Sequence, residues 1–395
     1  MRHTLSHHHT IRASYLGYIT QAIVNNLAPL LFLWFRQELG FTLPQITLIT
    51  TVNFAVQLAV DLASTAFVDR IGYRPCVVAA HVLSAAGLAG MAVLPGCVGS
   101  PFAGMMAAVV LYAIGGGLIE VLISPIVESC PTEGKEAAMG LLHSFYCWGH
   151  VLLIVVSTAF FAVFGIARWR VLTCLWALLP LGNAVYFLLV PLYPVVPDGT
   201  ARMTLPQLLR QRLFWVLALL MVCAGASEQA MSQWASAFAE SALHVTKTVG
   251  DLAGPCAFAV MMGTARALYG KFASRLPLRR AVVGSAVLCL GCYLLATLAP
   301  LPVVGLLGCA VCGFSVGIFW PGTFSLAARS LPGGGTALFA LLALAGDLGC
   351  SGGPTLVGLG SALLGGELQA GLALAMVFPV GILLGMTALK RAEGT

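Results

Sequence analysis

About twelve stretches of roughly 20 mostly apolar residues follow one another along the chain, the length that spans a hydrocarbon layer about 30 Å thick at about 1.5 Å rise per helical residue. They run near Ser14 to Phe35, Pro44 to Val68, Cys76 to Leu94, Phe102 to Val127, Ala137 to Phe164 and Val171 to Tyr193, then Phe214 to Ala239, Val249 to Phe272, Ala281 to Ala299, Val303 to Ala328, Thr336 to Leu364 and Leu368 to Leu389. Of the 395 residues 59% are hydrophobic and 9% charged, where a soluble domain has roughly 25% charged residues. Water-soluble packing is excluded. The expected fold is an all-α membrane protein of twelve transmembrane helices.

Cytoplasmic loops hold an excess of Lys and Arg. With the N-terminus inside, one side collects Arg2, Arg12, Arg70, Arg74, Lys135, Arg202, Arg210, Arg212, Lys271, Arg275, Arg279, Arg280, Arg329, Lys390 and Arg391. The opposite loops hold Arg36, Arg168, Arg170 and Lys247, and Arg266 lies inside a span. Both termini are therefore expected in the cytoplasm, in a cell inner (plasma) membrane. The formal charge of +6 reads as a topology signal, not as nucleic-acid binding. Met1 to Arg12 lacks the apolar core and small-residue cleavage site of a removable signal peptide. The run His7 to His9 reads as a solvated tail. The 12 cysteines lie almost wholly within spans, where Cys behaves as a small buried hydrophobe. Cys289 with Cys292 and Cys309 with Cys312 have metal-ligand spacing but no carboxylate or histidine nearby in sequence, so they read as packing, with no metal and no cofactor expected.

The longest polar interruption, Tyr193 to Gln211, divides the windows six and six. It sets the expected organisation: an N-terminal six-helix bundle over 1–193, a central cytoplasmic linker over 194–212 and a C-terminal bundle over 213–395. The halves overlay. Asp69-Arg70-Ile71-Gly72-Tyr73-Arg74 after the second span matches Ser274-Arg275-Leu276-Pro277-Leu278-Arg279 after the eighth, which sets Asp61 opposite Arg266. Gly117 precedes Pro125 by the interval that separates Gly313 from Pro321, and Gly149-His150 overlays Gly346-Asp347 with a one-residue shift. Parallel six-helix repeats suit a rocking transporter with its solute site expected between the halves near the membrane midplane.

The segment Asp69-Arg70-Ile71-Gly72-Tyr73-Arg74 resembles the signature loop of the major facilitator superfamily. Asn25-Asn26-Leu27 in the first span, with Glu120 and Ser124-Pro125 in the fourth, resemble the fucose–galactose–glucose proton symporter group. Thr65 stands where the loop usually has glycine, Pro75 where it usually has a second basic residue, and Ala28-Pro29 where group members often have an acid. The resemblance implies the major facilitator fold, two pseudosymmetric bundles with spans one, four, seven and ten lining a cavity. It also implies that Asp69, Arg70, Gly72 and Arg74, with Glu128, latch the cytoplasmic rim.

Ionisable side chains at membrane depth cost several kcal/mol unless they face a partner or water, so each is a candidate site residue. Glu120, about 10 Å deep by helical rise, is placed to carry a proton or to make a structural hydrogen bond. Glu228, about 21 Å from the inner end, precedes Gln229, Gln233 and Trp234, a set that either grips a hydroxylated solute or clasps neighbouring helices. Arg266, about 9 Å from the inner end, is expected to meet a carboxylate, Glu228 or Glu120 first; an anionic solute and snorkelling are the alternatives. Asp61 and Asp347 fall on helices that the resemblance implies meet, so either one of them holds a proton or each caps a half-helix or binds Ser64 or Ser351. His150 suits a relay or is a satisfied buried histidine. Trp320, beside Pro321, is expected to touch solute, as are Asn25 and Asn26.

No phosphate-binding Gly-x-x-x-x-Gly-Lys-Ser/Thr motif occurs and the loops are short, so no ATPase or other enzyme activity is expected. The sequence is read as a monomeric, secondary active transporter taking up a small polar solute such as a sugar with protons, by alternating access across the lipid bilayer. A proton-coupled drug or metabolite exporter is the alternative. Leu141 to Val155 contains no proline and only Gly149, unlike the Gly-Pro-rich fifth span of drug antiporters. A receptor using the same fold would want a signalling tail.

Overall fold

The computed structural model describes residues 5–131, 135–193, 205–242, 244–272, 277–299, 301–331 and 335–393. Every regular element among them is helical. The chain forms two compact units, Met1–Asp198 and Gly199–Thr395.

The first unit holds α1 (His7–Asn26), α2 (Phe32–Glu38), α3 (Leu43–Ile71), α4 (Tyr73–Cys97), α5 (Pro101–Glu128), α6 (Lys135–Phe164) and α7 (Trp169–Leu189). The first predicted span is broken, because Pro29 lacks an N–H and its ring crowds the preceding turn; a 3-10 turn over Ala28–Leu31 joins α1 to α2. That span also starts earlier than expected. His7 to His9 form the first turn of α1 rather than a loose tail, and the His9 ring accepts the Ser6 backbone N–H at 3.1 Å. A capping box starts α3: the Gln45 side chain accepts the Thr42 N–H at 2.9 Å while Thr42 Oγ1 accepts the Gln45 N–H.

Gly72 ends α3 with φ +96° and ψ 153°, a region open essentially to glycine alone. Gly72→Ala is expected to destabilise the chain by about 1–3 kcal/mol, the cost of such a backbone for a residue with a Cβ. Thermal unfolding in detergent against Ala substitutions at Gly96 and Gly99, where an added Cβ meets nothing within 4 Å, would check it.

The second unit holds α8 (Leu205–Leu209), α9 (Arg212–Ala242), α10 (Lys247–Asp251), α11 (Ala257–Phe272), α12 (Leu278–Leu298), α13 (Pro302–Val316), α14 (Phe319–Ser330), α15 (Gly335–Leu363), α16 (Leu368–Leu374) and α17 (Val377–Glu393). Of the linker expected over 194–212, residues 194–204 lie outside the described residues; the rest contains α8 and the start of α9. A π-helical turn, Leu252–Cys256, connects α10 to α11. Pro255 within it has no N–H to donate to the turn before.

Ten stretches among the described residues are long and apolar enough to cross a membrane. The eighth and eleventh expected spans are not among them. The eighth is split by the π turn and carries Lys247, Asp251 and Arg266. The eleventh, α15, is one unbroken helix of 29 residues, of which the side chains of 335–337, 339 and 340 lie outside the described residues. With these two the layout is twelve-helical and the protein is a multi-pass membrane protein.

The same packing scheme recurs within each unit. In the first, α4 lies against α5 and α7, α3 against α5, and α1 against α6 and α7; in the second, α12 lies against α13 and α17, α11 against α13, and α9 against α15 and α17. Small residues allow these approaches, as expected where lipid offers no hydrophobic drive. The repeated glycines occupy matching contacts. A Cβ at Gly117 would meet the backbone of Gln57 on α3, and one at Gly313 the backbone of Phe258 on α11.

Candidate functional site

Each unit carries an extended polar network inside largely apolar helices. In the first, Gln57 Nε2 donates to Asn25 Oδ1 at 2.7 Å and to Asn53 Oδ1 at 2.9 Å, and Asn53 Nδ2 donates to Asn25 Oδ1 at 3.1 Å. Gln21 Nε2 donates to Gln57 Oε1 at 2.8 Å and to Glu120 Oε2 at 3.0 Å. Three helices thus meet in one chain of amides that ends on a carboxylate: α1 (Gln21, Asn25), α3 (Asn53, Gln57) and α5 (Glu120). The four amide side chains are buried and Glu120 is half-buried. Gln21 Oε1 is buried without a hydrogen-bond donor; such an unmet acceptor costs about 1–3 kcal/mol.

Asn25 and Asn26 part company. Asn26 Nδ2 donates to the Ala22 carbonyl at 2.8 Å and to the Tyr146 hydroxyl at 3.3 Å, away from the Glu120 network. Nearby, the Tyr18 and Ser124 hydroxyls share a 3.1 Å bond that ties α1 to α5.

In the second unit Arg266 Nη2 on α11 lies 3.5 Å from Glu228 Oε2 on α9, with the Arg266 side chain 22% and the Glu228 side chain 7% exposed. Glu228 is one of the two carboxylates that the sequence puts first for this arginine. Gln229 Nε2 reaches Glu228 Oε1 at 3.5 Å, and Gln233 Nε2 donates to Gln229 Oε1 at 3.0 Å. The network therefore climbs one side of α9 from the arginine. Trp234 is buried, and its indole N–H donates to the Pro354 carbonyl at 3.0 Å, which ties α9 to α15. Trp320 is half-buried, and its ring occupies the space a side chain at Gly346 would need.

The remaining candidates sit elsewhere. Ser64 Oγ donates to the Asp61 backbone carbonyl at 2.7 Å. Asp347 and His150 are buried on α15 and α6. Arg74 donates to the carbonyls of Phe187 and Leu188, each at 2.8 Å, and Val190 at 3.0 Å, capping the C-terminus of α7 within its own unit. The side chains of Asp69, Arg70 and Glu128 lie outside the described residues. Among the described residues no group of three or more His, Cys, Asp or Glu is arranged to hold a metal ion. Cys289 and Cys312 touch across α12 and α13 at 4.0 Å.

The family model of the Major Facilitator Superfamily matches residues 14–354. The chain belongs to the major facilitator superfamily. Among solved structures it is similar to a D-xylose-proton symporter, with TM-score 0.76 and 15% identity over 97% of this chain and 96% of that one. It is also similar to a variant of the nucleoside transporter NupG, with TM-score 0.74 and 13% identity over 97% and 99%. A third likeness is to a variant of the E. coli fucose:proton symporter FucP, with TM-score 0.64 and 16% identity over 96% and 98%. At these identities the likeness shows the fold. No curated protein sequence matches it.

In this superfamily transporter, several polar contacts involve residues that a search for intramembrane charges does not reach. Gln21, Asn53 and Gln57 are uncharged, although Gln21/Asn25 and Asn53/Gln57 each sit at i, i+4 on one helix face, a spacing that could have flagged them. Lys247, at the α10 end of the second unit, bridges Glu240 at 3.4 Å and Asp251 at 3.1 Å, and Ser236 donates to Asp251. In the first unit Glu38 accepts from Trp34, Trp169 and Arg170, which binds α2 to the start of α7. His81 lies between the Val77 carbonyl at 2.7 Å and Asn183 Nδ2 at 2.9 Å. Since an amide nitrogen only donates, His81 Nε2 is the acceptor, Nδ1 carries the proton, and the ring is neutral.

Proposed function

We propose that this transporter carries a small polar solute such as a sugar into the cell together with protons, by alternating access, with Glu120 as the proton carrier. The single observation behind this reading is the bond from Gln21 to Glu120. It places a half-buried carboxylate at the end of a network of neutral amides. A proton can remove the charge of a carboxylate held by an amide at modest structural cost, because a protonated acid keeps acceptor capacity and gains a donor. Asn25, and the amides of Gln229 and Gln233, offer the donors and acceptors that hydroxyl groups need, and Trp320 offers a ring face. Two of the similar structures are proton symporters, for xylose and fucose, and one is a nucleoside transporter; these solutes share hydroxylated rings. In this reading the protein is a plasma-membrane monomer with halves 1–193 and 213–395, and the excess of Lys and Arg on one side supports cytoplasmic termini.

Purified protein in proteoliposomes, given an acid-outside pH gradient and radiolabelled xylose, fucose and uridine in turn, tests the reading. Accumulation of at least one of them above the external concentration, abolished by a protonophore, is the expected result. Protonophore-insensitive equilibration, or accumulation driven only by an acid interior, would overturn it in favour of facilitated diffusion or export.

A further inference from the structure

We propose that Gln21, Gln57 and Asn25 form a reversible amide relay that carries the protonation state of Glu120 from α5 across α1 and α3, so that gaining a proton reverses the donor and acceptor faces of Asn25. The proposal rests on Glu120 being the proton carrier and adds the route by which its charge is read.

The argument follows from which atoms can donate. An ionised carboxylate only accepts, so Gln21 must turn its NH2 toward Glu120, and in the structure it does, at 3.0 Å. That orientation leaves Gln21 Oε1 buried with no donor. It also fixes its neighbour: Gln57 turns its carbonyl to Gln21 and its NH2 to Asn25 and Asn53. When a proton binds, the Glu120 O–H becomes a donor. Rotation of the Gln21 carboxamide by half a turn then brings its carbonyl to that hydroxyl, which meets the orphaned acceptor. The Gln21 carbonyl now also confronts the Gln57 carbonyl, so Gln57 must turn and donate to it. That turn withdraws the two bonds Gln57 gave to Asn25 Oδ1 and Asn53 Oδ1, and those amides rotate in response. No covalent bond of the chain changes; one proton is added at Glu120 and the amides swap donor for acceptor.

Gly116 lies beside the pivot. A Cβ there would come 3.0 Å from Gln21 Oε1 and 3.3 Å from Gln57 Cδ, so only glycine leaves the carboxamides this room. The other titratable groups on helices packed against α5 include Asp61 on α3, His81 on α4 and His143 and His150 on α6. His81 is held between Val77 and Asn183, and His143 packs edge-on against Tyr18.

The test is pH-difference infrared spectroscopy of the full chain in liposomes, with side-chain carbonyls of glutamine, then of asparagine, labelled with carbon-13. In the unmodified protein a protonated-carboxyl band should rise on acidification, and labelled glutamine and asparagine bands should shift with the same midpoint. All should vanish in Glu120→Gln. In Gln57→Leu the carboxyl band should remain while the asparagine shift is lost. A carboxyl band that disappears in Glu120→Gln, with silent amide bands in the unmodified protein, would overturn the relay and leave Glu120 as carrier. A carboxyl response unchanged in Glu120→Gln, or none, would overturn the carrier reading and the relay with it. The labelled unmodified protein decides between these outcomes even if Gln57→Leu does not fold.

Discussion

Glu120→Gln is expected to abolish proton-driven accumulation while leaving exchange of solute down its own gradient within a few-fold of the unmodified rate. Glutamine has the shape of a protonated glutamate and both a donor and an acceptor, so it keeps the bond to Gln21 but has nothing to titrate. Accumulation needs a group that changes charge as it moves between the two sides; exchange of bound solute for bound solute does not. Counterflow and pH-gradient uptake measured on the same proteoliposomes separate the two. Equal loss of both would assign Glu120 to binding or folding, and unchanged accumulation would move the proton to another acid.

The second large effect concerns the Glu228–Arg266 pair. Removing one partner of a buried ion pair typically costs about 3–5 kcal/mol because the other charge is left without compensation. Arg266 is 22% exposed, which places Arg266→Ala near the lower end, about 3 kcal/mol, by partial solvation of the site. Glu228→Ala should cost as much or more, since the guanidinium left behind cannot lose its proton. The double change Glu228→Leu with Arg266→Met should recover most of the melting temperature, as apolar replacements of buried pairs do. If the pair serves transport, uptake will not recover with it. A double variant that melts normally and transports normally would reduce the pair to scaffolding.

Much of this architecture is legible in the order of the amino acids. A membrane interior leaves helices of fixed length as the economical solution, so apolar windows locate the spans, and the charge inventory reaches Glu120, Glu228 and Arg266 because ionisable groups there are costly. The rest is hidden for physical reasons. Gln21, Asn53 and Gln57 carry no charge, and amides raise no alarm in a hydropathy window, yet in a dry interior they must pair and so assemble networks. Glu240 and Asp251 are hidden differently. The apolar windows end near Ala239 and resume at Val249, so Glu240 and Lys247 fall in what reads as a loop, while Asp251 sits at the very edge of the next window. Composition does not tell which side of α9 faces α15, and so the tie from the Trp234 indole to the Pro354 carbonyl is not legible in it. Arg74 looks like a rim latch, and only the fold shows its three carbonyl acceptors at the end of α7.

The π turn between α10 and α11 bears on which changes of length the Glu228–Arg266 pair can survive. A π turn closes its hydrogen bonds over one residue more than an α-helical turn, so the surplus residue is taken up inside Leu252–Cys256 and the helix beyond keeps its facing. Losing one residue there would let the ladder close as an ordinary helix with Arg266 still on the side of α11 that meets Glu228. A residue lost between Ala257 and Ala265 has no such slack to draw on and would turn Arg266 off that side by about 100°, the angle per residue at 3.6 residues per turn. Length variation is thus tolerable on one side of Ala257 and not on the other.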